Sequence, residues 1–266
     1  MHPNYRDIPG ETGKSTAERG RGAAGASAPC GTLNARVVDT NMTIHAEPYT
    51  QLLSLAVHEF RTPASVVGGY LRMLQRDSEV PLSDRQRRMV DEAERSCQRL
   101  VALIAELSEI QKLDADLIEL AQQGFDAFPA IAEAAQGVHE AEDRNVRLVV
   151  RGESAGAPMQ GDATRLRHAF ATIFRASMRE MPADTTVVAE RRLDTRDGQQ
   201  SAIVIVADEP NVQASYDADP APFDEKRGGL GLAIPIARRI IERHQGRIWS
   251  PAGSRATAII SLPVRS

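Results

Sequence analysis

From Pro48 onward the apolar positions repeat with helical spacing. Leu53, Val57, Phe60, Ala64, Val67, Leu71 and Leu74 follow one another at alternating steps of four and three, the heptad stripe of a helix that buries one side. The stripe stops at Asp77-Ser-Glu-Val-Pro81. Ser83, followed three residues later by Gln86, has the form of a capping box and predicts the start of a second helix. That helix carries its own stripe, Met89, Ala93, Ser96, Leu100, Leu103, Leu107 and Ile110. Two long helices joined by a short turn make an antiparallel hairpin. One hairpin has too few neighbours to cover a continuous stripe, so pairing of two copies into a four-helix bundle is expected.

Beyond Gln123 the pattern mixes periods. Asn145–Arg151, Thr185–Arg191, Ser201–Asp208 and Ala256–Val264 read as strands. Phe128–Glu142, Ala163–Met181 and Gly231–His244 read as helices, the last closed by Gly246. The expected fold is therefore α+β: a helical hairpin over residues 47–118, then an α/β sandwich over 124–266, one sheet with helices on one face. Residues 1–46 are rich in glycine and alanine and hold one aromatic residue, Tyr5; they read as a flexible tail. Gly10-Glu-Thr-Gly13-Lys14-Ser15 within it is no P-loop, because only two residues separate the glycines where four are needed. The Asn41-Met42-Thr43 sequon carries little meaning in a cytosolic chain.

Composition narrows the function only by exclusion. The 266 residues hold 32 Lys and Arg against 36 Asp and Glu, a net charge of −4, which disfavours a nucleic-acid binder relying on bulk positive charge. Aromatic residues make up 4% of the chain, too few for base-stacking platforms. No apolar run approaches the roughly 18 residues of a membrane span, and the N-terminus lacks the apolar stretch of a secretory signal. Two cysteines, Cys30 and Cys97, cannot form a disulfide framework. A cytoplasmic location is expected. His139, His168 and His244 show no metal-ligand spacing and read as helix-surface residues, and Cys97 reads as packing.

The first chemical motif is His58-Glu59-Phe60-Arg61-Thr62-Pro63 on the first helix. His58 borders the stripe with its ring toward solvent. Arg61 and Thr62 follow at i+3 and i+4 on the same face. Pro63 lies inside the helix, where it removes a backbone hydrogen bond. This string resembles the H-box of two-component sensor histidine kinases, and the rest of the chain resembles that family in order. The hairpin resembles its dimerisation and phosphoacceptor domain, and residues 124–266 its catalytic ATP-binding domain. The resemblance implies that His58 accepts a phosphoryl group, that Glu59 takes the ring proton, and that Thr62 orients water for dephosphorylating a partner, beside Arg61.

The second motif is Gly228-Gly229-Leu230-Gly231-Leu232, ahead of a helix. Glycines let backbone approach phosphates, and a helix N-terminus offers free amides. It resembles the family's second glycine box, preceded by Arg227 where a further glycine is usual. Pro222-Phe223 resembles the phenylalanine box, in a segment made acidic by Asp217, Asp219, Asp224 and Glu225 that resembles the ATP lid.

Other nucleotide motifs depart from the family. Asp162-Ala-Thr-Arg165 resembles the lead-in to the asparagine box, yet Thr172 and Ala176 stand where the family has asparagines. The second asparagine normally holds the magnesium ion that bridges the ATP phosphates, and Ala176 has no side-chain oxygen to replace it. After the strand, Asp208-Glu209-Pro210-Asn211-Val212 keeps the adenine-reading acid as Asp208. Pro210 and Val212 replace two glycines. The implied cofactors are ATP and magnesium; the implied partners are a second copy through residues 47–118 and a response-regulator receiver domain. Three activities stay open: ATP-dependent autophosphorylation of His58 with transfer to a regulator aspartate, phosphotransfer or phosphatase activity with little use of ATP, and a non-catalytic dimeric scaffold.

Overall fold

The computed structural model describes residues 46–196, 199–254 and 256–265, which fall in one compact unit. The expected tail, with Gly10–Ser15, Cys30 and the Asn41 sequon, lies outside them apart from Ala46.

Two antiparallel helices, α1 (Ala46–Arg76) and α2 (Asp84–Asp114), form the hairpin. Helix α1 runs through Pro63 without interruption. The capping box is formed: Gln86 N donates to Ser83 Oγ at 3.4 Å, and Ser83 N donates to Gln86 Oε1 at 3.0 Å. Asp77 Oδ1 accepts from the amides of Glu79 and Val80 and shapes the turn. The helices approach closely at Gly68, where an added Cβ would lie 3.3 Å from Cys97 Sγ. Cys97 Sγ donates to Ala64 O at 3.1 Å and Gln75 donates to Asp91 at 2.9 Å, which fixes the register.

The expected stripes divide. Val57, Cys97 and Ile110 are buried between the helices and the rest of the chain, whereas Phe60 is 60% exposed and Val67, Leu74, Met89 and Leu100 face outward with it. The reason is geometric: one neighbouring helix covers only one side of a heptad stripe, so alternate members are left without a partner in a single chain.

The second region is built on a six-stranded sheet in the order β2-β4-β5-β8-β7-β6, with β2 (Arg147–Gly152), β4 (Thr186–Arg196), β5 (Gln199–Asp208), β6 (Pro220–Ala221), β7 (Arg247–Pro251) and β8 (Ala258–Pro263). β2 and β4 run parallel; the other pairs are antiparallel. A separate two-stranded ladder joins β1 (Gln123–Asp126) to β3 (Pro158–Gly161). One face of the sheet is covered by α3 (Ala127–Gln136), α4 (Ala163–Glu180) and α6 (Ala233–Arg243). Alternate residues Ala202, Val204 and Val206 join that core, while Ile203, Ile205 and Ala207 point the other way, as strand alternation requires.

Among the differences from the sequence expectation, β4 runs on to Arg196 rather than ending at Arg191. α3 ends at Gln136 with Gly137 as its cap, not at Glu142. The left-handed residue closing α6 is Gln245, not Gly246; Gly246 is needed because an added Cβ would lie 2.7 Å from Leu262. Most consequentially, helices do not occupy one face alone. Immediately after Asp208 a turn (Glu209–Asn211) leads into a short helix, α5 (Val212–Asp217), and Val212 and Tyr216 pack on Ile203, Ile205 and Ile259 across the opposite face.

Candidate functional site

The H-box lies on the exposed side of α1. His58 Nδ1 is 3.4 Å from Glu59 Oε1, and the His58 side chain is 77% exposed. A neutral ring that donates its Nδ1 hydrogen to Glu59 leaves the Nε2 lone pair free as a nucleophile. Arg61 and Thr62 are exposed on the same stretch.

The residues of the glycine loop meet α4 directly. The loop turns through left-handed conformations at Gly228, Gly229 and Gly231, with φ of +67, +59 and +65°. An added Cβ at Gly228 would lie 2.7 Å from Ala176 Cα, and Ala176 is fully buried. Both polar groups of the Gly228 backbone are taken by the last turn of α4. Its N–H donates to Glu180 Oε1 at 2.7 Å and its carbonyl accepts from Arg179 at 3.1 Å. Arg179 is in turn held by Glu140 at 2.9 Å. Glu180 and Arg179 escape a sequence reading because nothing in their spacing marks them; only the tertiary path of the loop brings them to Gly228.

Arg227 is 2% exposed. Its guanidinium donates to Asp224 O, Thr257 O and Ser250 Oγ at 3.1, 2.8 and 2.7 Å, and its carbon centre lies 4.0 Å from the centroid of the buried Phe223 ring. Burial, offset in part by Asp224 and Glu180, pulls its pKa down to about 10. The guanidinium is thus turned inward, where it holds the segment before it to β7 and to the residue before β8.

The remaining nucleotide-type positions are also internally satisfied. Thr172 Oγ1 donates to His168 O one turn back at 2.9 Å. Asp208 accepts from Asn211 Nδ2 at 2.5 Å, and Val212 is buried on the outer face of the sheet. Pro210 sits in the connecting turn. Pro235 falls in the first turn of α6, where a missing amide costs no helical hydrogen bond. Leu230 and Leu232 are half-buried. Leu232 N, at the entry to α6, donates to Glu106 Oε2 of the hairpin at 3.2 Å.

Asp162 caps α4 through a 2.9 Å bond from Arg165 N. Burial alone pushes its carboxyl up, but the amides of Arg165 and Ala121 and the Arg165 charge outweigh it and hold the pKa below the usual 3.8. His244, expected on the surface, is buried. Its Nδ1 donates to Ile240 O at 2.6 Å and its Nε2 accepts from Asp162 N at 2.9 Å. Gly161 makes room for it, since an added Cβ would lie 2.4 Å from the ring. His168 is exposed on α4, as expected, whereas His139 is exposed but lies in the loop after α3 rather than on a helix. Among the described residues no cluster of three metal-ligating side chains occurs, and no helix is long and apolar enough to cross a membrane.

Comparison with known proteins agrees with this organisation. Residues 49–116 match the His Kinase A (phospho-acceptor) domain. Histidine protein kinase DivJ of Caulobacter vibrioides is 24% identical over 220 residues, covering 78% of this chain and 36% of that protein. Sporulation kinase C of Bacillus subtilis is 26% identical over 230 residues, 82% of this chain and 49% of that protein. The chain therefore spans less than half the length of these relatives. Among solved structures, full-length ShkA in complex with AMPPNP shares the fold with a TM-score of 0.57 and 20% identity, over 80% of this chain and 45% of that one. Residues 49–116 thus match a phospho-acceptor domain that contains His58, and most of the chain is similar to histidine kinases.

Proposed function

We propose that this chain is a histidine phosphotransfer protein: His58 exchanges a phosphoryl group with an aspartate of a response-regulator receiver domain, and charging by ATP is lost. The observation that carries this reading is the packing of Gly228 onto Ala176. The space where a metal-bridged phosphate chain would meet the asparagine box is filled by the chain's own backbone. The Gly228 amide that would face a phosphate is spent on Glu180. Ala176 offers no side-chain oxygen to magnesium, so the residues present do not fit a magnesium–nucleotide complex.

The transfer itself needs only the H-box. Nε2 of neutral His58 attacks the phosphorus of the aspartyl phosphate. The phosphorus–oxygen bond to the aspartate breaks, a phosphorus–nitrogen bond forms, and Glu59 takes the Nδ1 proton. In the reverse direction Glu59 returns that proton as the receiver aspartate attacks. Thr62, one turn from His58, positions water for hydrolysis of the receiver phosphate. Two copies pair through the outward apolar residues of the hairpin, Phe60, Val67 and Leu74 among them, and the protein acts in the cytoplasm.

An ATP-driven kinase is the competing reading. Gly229 favours it, since an added Cβ there meets nothing within 4 Å and the turn stays open. Incubation with labelled ATP and magnesium, beside labelled phosphoramidate and phosphorylated receiver domains, separates the two. We expect acid-labile label on the wild type from the phosphoramidate and receiver donors only, and none on His58→Ala. Acid-labile label from ATP on the wild type would overturn the proposal.

A further inference from the structure

We infer that Glu106 is a built-in anion that closes the phosphate-facing end of the glycine loop and latches the α/β domain onto the hairpin, a contact that keeps His58 open to receiver domains. The inference rests on the phosphotransfer reading above and deepens it.

The N-terminus of α6 has no side-chain cap of its own; Ala233 N donates to Leu230 O at 3.3 Å and Pro235 has no N–H, so the Leu232 amide and the positive end of the dipole are what this turn offers an anion. In a glycine-box site that anion is a phosphate. Here the Glu106 carboxylate fills the role, accepting from Leu232 N at 3.2 Å. Gly231 lies beneath the same helix: an added Cβ would sit 3.3 Å from Leu103 Cδ2 and 3.4 Å from Glu106 Oε2. Of the three glycines, Gly228 is therefore used against Ala176 and Gly231 against α2.

The contact is not isolated. Glu109 pairs with Arg165 at 2.7 Å. Asp114 takes a two-point contact from Arg239 at 2.6 and 3.1 Å, and Asp116 pairs with Arg243 at 3.2 Å. Apart from Leu113 O, which accepts from Arg243 at 3.2 Å, these hairpin partners are acids, and each faces an arginine or a helix-terminal amide. Between these pairs Leu113 is buried in the same apolar core as α4 and α6. The last turn of α2 thus reaches into the α/β domain's core through Leu113, and the acids beside it line the edge of that contact.

The latch also has a position. Extending the register set by Ala64–Cys97 and Gln75–Asp91 puts His58 level with the α2 turn that carries Leu103 and Glu106. The glycine loop is pinned at the height of the phosphoacceptor, but to the neighbouring helix, leaving the His58 side chain in solvent.

Hydrogen exchange of the full chain without nucleotide tests the latch independently of any phosphorylation assay. In the wild type, the segment 228–234 is expected to exchange at least about tenfold more slowly than in Glu106→Ala, because Leu232 N loses its acceptor. The strand segment 202–207 should be unchanged. Equal exchange of 228–234 in the two proteins would overturn the inference. Should Glu106→Ala loosen the whole fold, raising salt to about 1 M on the wild type decides, since it shortens the screening length to about 3 Å. Faster exchange confined to 228–234 supports the latch, and no change refutes it. Label from ATP on the wild type would defeat the phosphotransfer reading while leaving this exchange result to stand or fall alone.

Discussion

Gly228 rests on Ala176, with only 2.7 Å between an imagined glycine Cβ and the alanine Cα. The two positions have closed on each other: the small residue on α4 lets the loop in, and the loop's lack of a side chain lets the helix stay straight. Restoring the family's side chain with Ala176→Asn should therefore fail as a rescue. A larger polar group forced into this contact is expected to cost about 1–3 kcal/mol. Melting curves with and without an ATP analogue check this: a lower melting temperature and no ligand-induced rise are expected.

His58 is exposed and packs on little, so its role separates cleanly from folding. His58→Ala should abolish acceptance of phosphoryl groups from phosphoramidate and from receiver domains while changing stability by less than about 0.5 kcal/mol. Thr62→Ala should keep acceptance and slow the loss of phosphate from the receiver. Acid-labile label and receiver-phosphate lifetimes measure both.

The outward half of the heptad stripe predicts a self-association surface. Val67→Glu combined with Leu74→Glu places charge where two copies would bury apolar surface, and should turn a dimer into a monomer in light scattering. Both residues are exposed in the single chain, so its helical circular dichroism should survive.

Asp162 links stability to acid. Its folded pKa is depressed, so it contributes stability above the ordinary value of 3.8, and that contribution is lost as pH falls through the lower folded value. Asp162→Ala should cost about 1 kcal/mol at neutral pH through loss of the α4 cap. The difference between variant and wild type should shrink as pH falls below the ordinary 3.8 and through the lower folded value. Denaturant titrations at neutral and acid pH provide the test.

Arg227 ties the lid segment to Ser250 and Thr257. Arg227→Met keeps the stem and stacking volume but removes three donors, with an expected loss of about 2–4 kcal/mol. Arg227→Lys should recover only part of it, because an ammonium cannot reproduce the planar fork or its stacking on Phe223. Chemical denaturation of the three proteins gives the ranking.

Spacing along the chain marks the hairpin, the H-box string and four of the eight strands, β2, β4, β5 and β8, and leaves β1, β3, β6 and β7 unmarked. Alternation at three and four placed α1 and α2, Ser83 with Gln86 marked the second start, and short apolar runs placed β5 and β8. The sequence also showed that Ala176, Pro210 and Val212 lack the oxygen or freedom expected of them.

Tertiary structure alone decided what those substitutions became. No local pattern tells a glycine loop open to phosphates from one folded onto a helix. The same amides serve either partner, and the choice between Glu180, Glu106 and an external anion depends on which side chains the fold brings within hydrogen-bonding distance. Val212 shows this too: an apolar residue after Asp208 is ambiguous in sequence, and it became an anchor because the outer face of the sheet offered Ile203, Ile205 and Ile259 to bury it. The division of the hairpin stripe has the same origin, since the period fixes which residues lie on one side of a helix, and only the count of neighbouring helices fixes how many of them are buried.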